Sequence, residues 1–157
     1  MQRKLDGWRA LPGNERWLLV GLTVLLPLID VALHLLGVRR TCRLLGGSGG
    51  TASGRAAVGE DQQAVARRLG RLVNIASRHG PWTATCLRRS LALRWLLRRR
   101  GLPAELCVGV GRDDGRMHAH AWVELSGRVV DDQPTVVAEY APYRELESRI
   151  PRPLRAS

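Results

Sequence analysis

The spacing of apolar positions changes several times along the chain, and each change predicts an element. From Trp17 to Leu36 nearly every residue is apolar (WLLVGLTVLLPLIDVALHLL). About twenty such residues are long enough to span a bilayer core of ~30 Å. Against a span stand Pro27, Asp30 and His34, since an acidic side chain at mid-membrane costs roughly 2.5–3.5 kcal/mol even on a lenient insertion scale. A cleaved signal peptide is not expected either, because Asp6 and Glu15 precede the run and no small-residue cleavage site closes it. Two short helices, about 14–26 and 28–37, bent at Pro27, are expected to cover a core or a partner surface.

Residues 46–59 (GGSGGTASGRAAVG) carry too little apolar side chain to order themselves and read as a linker. It divides an apolar helical segment, 1–45, from a core, 60–157. After Glu60 the period becomes helical: Val65, Leu69, Leu72 and Ala76 face inward, with Arg67, Arg68 and Arg71 outward, until Gly80-Pro81. A second helix begins near Thr85, with Thr83 or Thr85 as its cap. It carries Arg98, Arg99 and Arg100 in its last turn and stops at Gly101, before Pro103.

Then the period becomes two. Ala104, Leu106, Val108 and Val110 alternate along one strand, and Asp113-Asp114-Gly115 turns the chain. In the next strand Met117, Ala119, Ala121, Val123 and Leu125 share one face, while His118, His120, Trp122 and Glu124 share the other. Ser126-Gly127 turns again into a third strand, Arg128 to Asp132. Helices followed by an antiparallel meander make an α+β class.

Composition narrows the function. The chain has 157 residues and a net charge of +11, and all but one of its 25 cations (Lys4) are Arg. That length suits one domain with a short appendage. The charge favours an anionic partner, but no zinc-finger spacing, RNA-binding aromatic signature or heptad accompanies it, so nucleic acid is not expected. Three scattered Cys (42, 86 and 107) make neither a disulfide scaffold nor a Cys-x-x-Cys metal pair. A reduced, cytoplasmic protein follows, with no cofactor and no metal.

Cys86 falls in the first turn of its helix, where free N–H groups and the dipole favour a thiolate. A thiolate nucleophile needs a base, and His120 is the candidate; His118, on the same face, is its rival. A carboxylate would orient the imidazole. A two-residue loop at Ser126-Gly127 puts Asp131 on the histidine's face. A three-residue loop with Gly127 left-handed instead pairs Glu124 with Arg128 and sets Asp132 across from His120; this register is preferred. Cys107, on the opposite parity to the apolar set of its strand, reads as a buried small side chain, and Cys42 has no base nearby in sequence, so neither is expected to be a nucleophile. The two histidines lack a third ligand at a fixed spacing, so a metal site is not expected.

These residues sit in recognisable company. Trp82-x-x-x-Cys86-Leu87, Arg89-Ser90-Leu91-Ala92-Leu93, Leu96-Leu97-Arg98-Arg99-Arg100-Gly101 and Ala119-His120-Ala121-Trp122-Val123-Glu124, followed by Asp132, occur together. The stretch resembles the stand-alone lasso-peptide leader peptidases, whose domain is transglutaminase-like and papain-like. Trp8 to Pro12 (WRALP) and the apolar segment resemble that family's helical opening more weakly. The resemblance implies a cysteine peptidase that removes the leader from a ribosomally made precursor through a thioester. Cys86 would be the nucleophile, His120 the base and Asp132 the orienting carboxylate; Trp82, His118, Trp122 and Asp131 are secondary candidates. Met117 stands where an aromatic is commoner, and His118 precedes the motif's Ala. The implied partners are the precursor leader, a separate winged-helix-type recognition protein and an asparagine-synthetase-like lasso cyclase. The apolar segment adds a peripheral contact with membrane or with those enzymes. Acyl transfer to an amine, or a non-catalytic adaptor role in a maturation complex, are the alternatives.

Overall fold

The computed structural model describes residues 13–46, 58–79, 85–113 and 116–142, in which three long helices precede an antiparallel sheet, an α+β fold. Helices α1 (Gly13–Gly46), α2 (Glu60–His79) and α3 (Cys86–Arg99) lead into strands β1 (Ala104–Asp113), β2 (Arg116–Leu125) and β3 (Arg128–Val129). A one-turn helix α4 (Pro134–Val137) and strand β4 (Ala141–Pro142) follow. The sheet order is β3-β2-β1-β4, so the long β1–β2 hairpin is flanked by two-residue strands. Apart from Gly46, Val58 and Gly59, the expected linker lies outside the described residues. So do Gly80-Pro81, Thr83, Asp114-Gly115, Trp82 and Trp8 to Pro12.

The apolar segment is not bent into two helices at Pro27. Helix α1 continues through the proline and leaves helical geometry at Gly37 (φ 72°, ψ 167°). Leu26 and Ile29, on either side of Pro27, are buried in the core, and this packing holds the helix across the missing N–H. At Gly37 the positive φ is open to glycine at little cost. The Thr41 hydroxyl ties the two sides of the break through the carbonyls of Ala32 (3.0 Å) and Gly37 (2.9 Å).

Leu19, Leu22, Leu26 and Ile29 form one stripe of α1, spaced three and four apart, and share a single core with α2, α3 and the sheet. Both acidic residues of the apolar run's neighbourhood turn toward that core: Glu15 pairs with Arg68 of α2, and Asp30 pairs with Arg88 of α3 (2.6 Å). In α2 the inner face is rotated from the expected one. Ala66 is buried beside Leu69, Leu72, Val73 and Ala76, while Val65 is exposed.

Helix α3 contributes Leu91, Ala92, Leu93, Leu96 and Leu97 to the core. It ends as the sequence predicts, on Gly101 with φ 74°. Gly101 N–H donates to the Arg98 carbonyl (3.0 Å) and Leu102 N–H to the Leu97 carbonyl (3.1 Å), a Schellman cap.

The β2–β3 turn departs from the preferred register. Leu125 pairs with Arg128 and Glu124 with Val129, so the loop is the two residues Ser126-Gly127, at φ 52° and 76°. Two successive positive φ values make a type I′ turn, whose twist matches the strands; Ser126 accepts a strained position so that the ladder can close. The third strand is also shorter than expected. It ends at Val129, Val130 N–H still reaches the Val123 carbonyl (3.0 Å), and the chain then bends off the sheet before Asp131.

Candidate active site

Helix α3 begins at Cys86, with Thr85 extended at the N-cap position (φ −65°, ψ 162°). The expected Thr85 side-chain cap is not made; only its carbonyl is engaged, by Arg89 N–H (3.2 Å). The first-turn N–H groups of α3 therefore receive nothing from the Thr85 hydroxyl. Cys86 is a half-buried free thiol.

One turn further along α3, Ser90 is fully inside and joins the helix to the sheet. Its hydroxyl is shared between the Ala121 carbonyl (3.0 Å) and the Asp131 carboxylate (2.9 Å). Residues four apart lie on one helix face, so Cys86 stands on the face that Ser90 presses onto β2 beside His120.

Asp131 is held from three elements. Its second carboxylate oxygen accepts from Val123 N–H (2.8 Å), and its backbone carbonyl accepts from the Asn74 amide of α2 (3.1 Å). Asn74 is steadied in turn by Arg89 (3.0 Å). Gly70 lets α2 come this close, because a Cβ there would lie 2.5 Å from the Val130 carbonyl oxygen. Burial pushes the Asp131 carboxyl above its ordinary value, against the pull of Val123 N–H and Ser90.

With Asp131 fixed, Asp132 turns the other way. Its carboxylate meets His120 Nε2 at 2.7 Å and accepts Gln133 N–H at 2.8 Å. A carboxylate on Nε2 keeps the proton there and leaves Nδ1 as the ring's acceptor. The imidazole is clamped between aromatics, stacked on Trp122 (centroids 6.2 Å, 20° between planes) and tilted against Tyr140 (5.0 Å, 31°). Trp122 is buried, and its indole N–H donates to Glu124 (2.8 Å).

The structure thus brings His120, Asp132 and Trp122 into contact and attaches Asp131 to both α3 and β2. Among the described residues no hydrogen bond joins Cys86 to His120; the nucleophile candidate is placed through Ser90. His118 is exposed and lines a cavity of about 450 Å³ with Gly111, Arg112, Glu139 and Tyr140, the same Tyr140 whose ring packs against His120. Among the described residues no three His, Cys, Asp or Glu gather as a metal set. Burial raises the Cys42 thiol's pKa, with Arg94 opposing, which keeps that sulfur protonated.

A family model described as the transglutaminase-like superfamily matches residues 30–145. The chain belongs to the transglutaminase-like superfamily. No curated protein and no solved structure matches it. Transglutaminase-like domains are commonly cysteine proteases or acyltransferases, and a cysteine at the start of a helix that Ser90 ties to the strand carrying a His–Asp pair suits both chemistries.

Two parts of this transglutaminase-like site escaped the sequence reading. Ser90 was legible only as part of a motif, because a serine within a helix gives no sign of its distant partners. Tyr140 has a signal in the sequence, the two glycines Gly109 and Gly111 spaced two apart along β1. A Cβ at Gly109 would lie 2.8 Å from Tyr140 Cβ and 2.9 Å from Trp122 Cη2, and one at Gly111 would lie 3.1 Å from the Tyr140 ring. Glycines two apart in a strand mark the face where another group comes close. Beside the site, Arg67, Arg71, Arg78 and Arg89 line a basic pocket of about 310 Å³ that is bounded by Asp132.

Proposed function

We propose that this transglutaminase-like domain is a cysteine peptidase that removes a leader peptide from a ribosomally made precursor of the lasso-peptide kind. The observation that carries the reading is the 2.7 Å bond between His120 Nε2 and Asp132, which leaves Nδ1 as a base on the strand that α3 packs against.

In this mechanism Cys86 Sγ attacks the scissile carbonyl carbon while His120 Nδ1 takes the thiol proton. The tetrahedral intermediate collapses to a thioester as His120 returns that proton to the departing amine. Water then attacks the thioester, gives a proton to His120, and releases the leader's new carboxylic acid and the Cys86 thiol. Asp132 stabilises the imidazolium formed twice in this cycle, and Trp122 and Tyr140 hold the ring in plane. The basic pocket beside Asp132 suits acidic side chains of the peptide.

The enzyme would act in the cytoplasm with a separate leader-recognition protein of winged-helix type. A lasso cyclase would consume the core peptide. Exposed arginines give on-rate more than affinity, and ordering a flexible leader costs several kcal/mol. Tethering by the recognition protein would supply an effective substrate concentration of roughly millimolar.

The test is mass spectrometry of a candidate precursor incubated with the full chain, with and without the recognition protein. Cys86→Ala should abolish cleavage with an unchanged circular dichroism spectrum. Loss of the base in His120→Ala should slow cleavage by about 10²–10⁴-fold or more, and His118→Ala should be milder. Undiminished cleavage by Cys86→Ala would overturn the assignment, and a product carrying an added amine would make it an acyltransferase.

A further inference from the structure

Helix α1 shows two apolar faces, and only one is used by the core. Opposite Leu19, Leu22, Leu26 and Ile29, the residues Trp17, Val20, Val24, Leu28, Val31 and Leu35 form a second stripe at three- and four-residue spacing. Trp17 is 78% exposed, Val24 57%, Leu28 58% and Leu35 77%. Over 18 residues at 1.5 Å each the stripe is about 27 Å long. Isolated exposed apolar residues need no explanation, but a contiguous patch marks a surface that something covers.

We infer that this stripe lies on an anionic lipid bilayer, with α1 parallel to the membrane plane. The helix is long and apolar enough to cross a membrane by length and composition, but its ion pairs set its orientation. Between Arg16 and Arg39 the only ionisable side chains are Asp30 and His34; Asp30 is turned inward to Arg88, as Glu15 is to Arg68, and the exposed His34 ring lies 3.3 Å from the Asp30 carboxylate. The six residues of the outer stripe are themselves uncharged, and the neighbouring Thr23 hydroxyl is tied to the Val20 carbonyl (2.7 Å). A helix bound through its other face to α2 and α3 can lie on a membrane but cannot thread through it without tearing those pairs from the core.

The charges around the stripe select the lipid. Past its end stand Arg39, Arg40 and Arg43, all exposed. Along its side it opens into an apolar groove of about 640 Å³, where Trp17, Val24 and Leu28 face Trp95, Arg99 and Arg100. The Arg99 guanidinium sits 5.0 Å over the Trp95 ring. Tryptophan and arginine beside an apolar face suit the headgroup region of a bilayer, and each arginine near an anionic surface adds about fivefold in binding. A second copy of this chain would bring another net charge of +11, which opposes self-association.

The inference does not depend on the proposed peptidase activity, and its test reads binding alone. The full chain is sedimented with phosphatidylcholine vesicles, with or without phosphatidylglycerol. It should pellet with the anionic vesicles, more weakly with the neutral ones, and less as salt is raised. Val24→Asp with Leu28→Asp, both at exposed positions, should keep the circular dichroism spectrum and lower the partition at least about tenfold. Arg39→Gln with Arg40→Gln should lower binding to anionic vesicles by about tenfold or more and leave neutral vesicles unaffected. Three results would overturn the inference: no pelleting with anionic vesicles, equal pelleting of the Asp variant, or a vesicle-free dimer that the Asp variant dissolves. Resistance of cellular, membrane-bound protein to carbonate extraction would also do so, by showing a span.

Discussion

Asp131 and Asp132 are consecutive in the chain, yet their carboxylates reach different elements: Asp131 takes Ser90 of α3 and Val123 of β2, and Asp132 takes His120. The first acidic residue is structural support for the second. Because Asp131 is tied to the helix that begins with Cys86, the same bend that aims the carboxylate at the imidazole also fixes the Cys86 helix to the sheet.

Ser90→Ala therefore removes one hydroxyl and leaves two buried partners, the Ala121 carbonyl and an Asp131 oxygen, without their bond. A loss of about 1–3 kcal/mol is expected, read as a lower urea midpoint at an unchanged slope. A midpoint equal to the parent's would show that the hydroxyl does not hold helix to strand.

Asp131 also gives stability a pH dependence. Burial raises its carboxyl above the ordinary 3.8, with Asp132 adding to the rise and Val123, Ser90 and Arg89 opposing it. Between the ordinary and the raised value the folded chain holds a proton that the unfolded chain has lost, so this group's contribution to stability falls as pH rises. In Asp131→Asn the amide oxygen can still accept Val123 N–H, and the amide nitrogen can donate to Ser90, whose own proton stays on the Ala121 carbonyl. The variant should gain on the parent in Tm as pH is raised from about 4 to 7. A Tm difference independent of pH would contradict this.

Glycine substitutions should separate close packing from open space. Gly109→Ala would drive a methyl into Tyr140 and Trp122, the two rings around His120, and should cost about 1–3 kcal/mol along with activity. Gly21→Ala meets nothing within 4 Å on α1 and should instead stabilise by roughly 0.5–1 kcal/mol. Thermal denaturation of both variants checks the opposite signs.

The fold class was legible because the switch from helical to alternating apolar spacing at Gly101 is a local property of the chain. So was the helix stop there, a single glycine with one conformation to adopt. The structure joins His120 to Asp132, but not through the three-residue loop that the sequence favours. The two-residue turn would have favoured Asp131 had the strand continued, and the bend after Val129 brought Asp132 round. That bend is set by Asn74, Ser90 and Gly70, all on other elements, and no pattern within residues 125–132 encodes it. Continuity of α1 through Pro27 was hidden for the same reason, since burial of Leu26 and Ile29 outweighs the proline's local preference.

The short I′ turn also bears on the order in which the site assembles. His120 and Asp132 are separated by 12 residues and lie within one hairpin region, so little loop entropy opposes their meeting. Cys86 belongs to an earlier helix and reaches the hairpin only when α3 docks. Under mild denaturation Cys86, the proposed nucleophile, should part from His120 while the hairpin is still formed. Catalytic activity would then be lost at a lower urea concentration than hydrogen-exchange protection of the Val130 amide, which is bonded within the hairpin. Coincident loss of the two signals would mean that the helix and hairpin unfold as one unit.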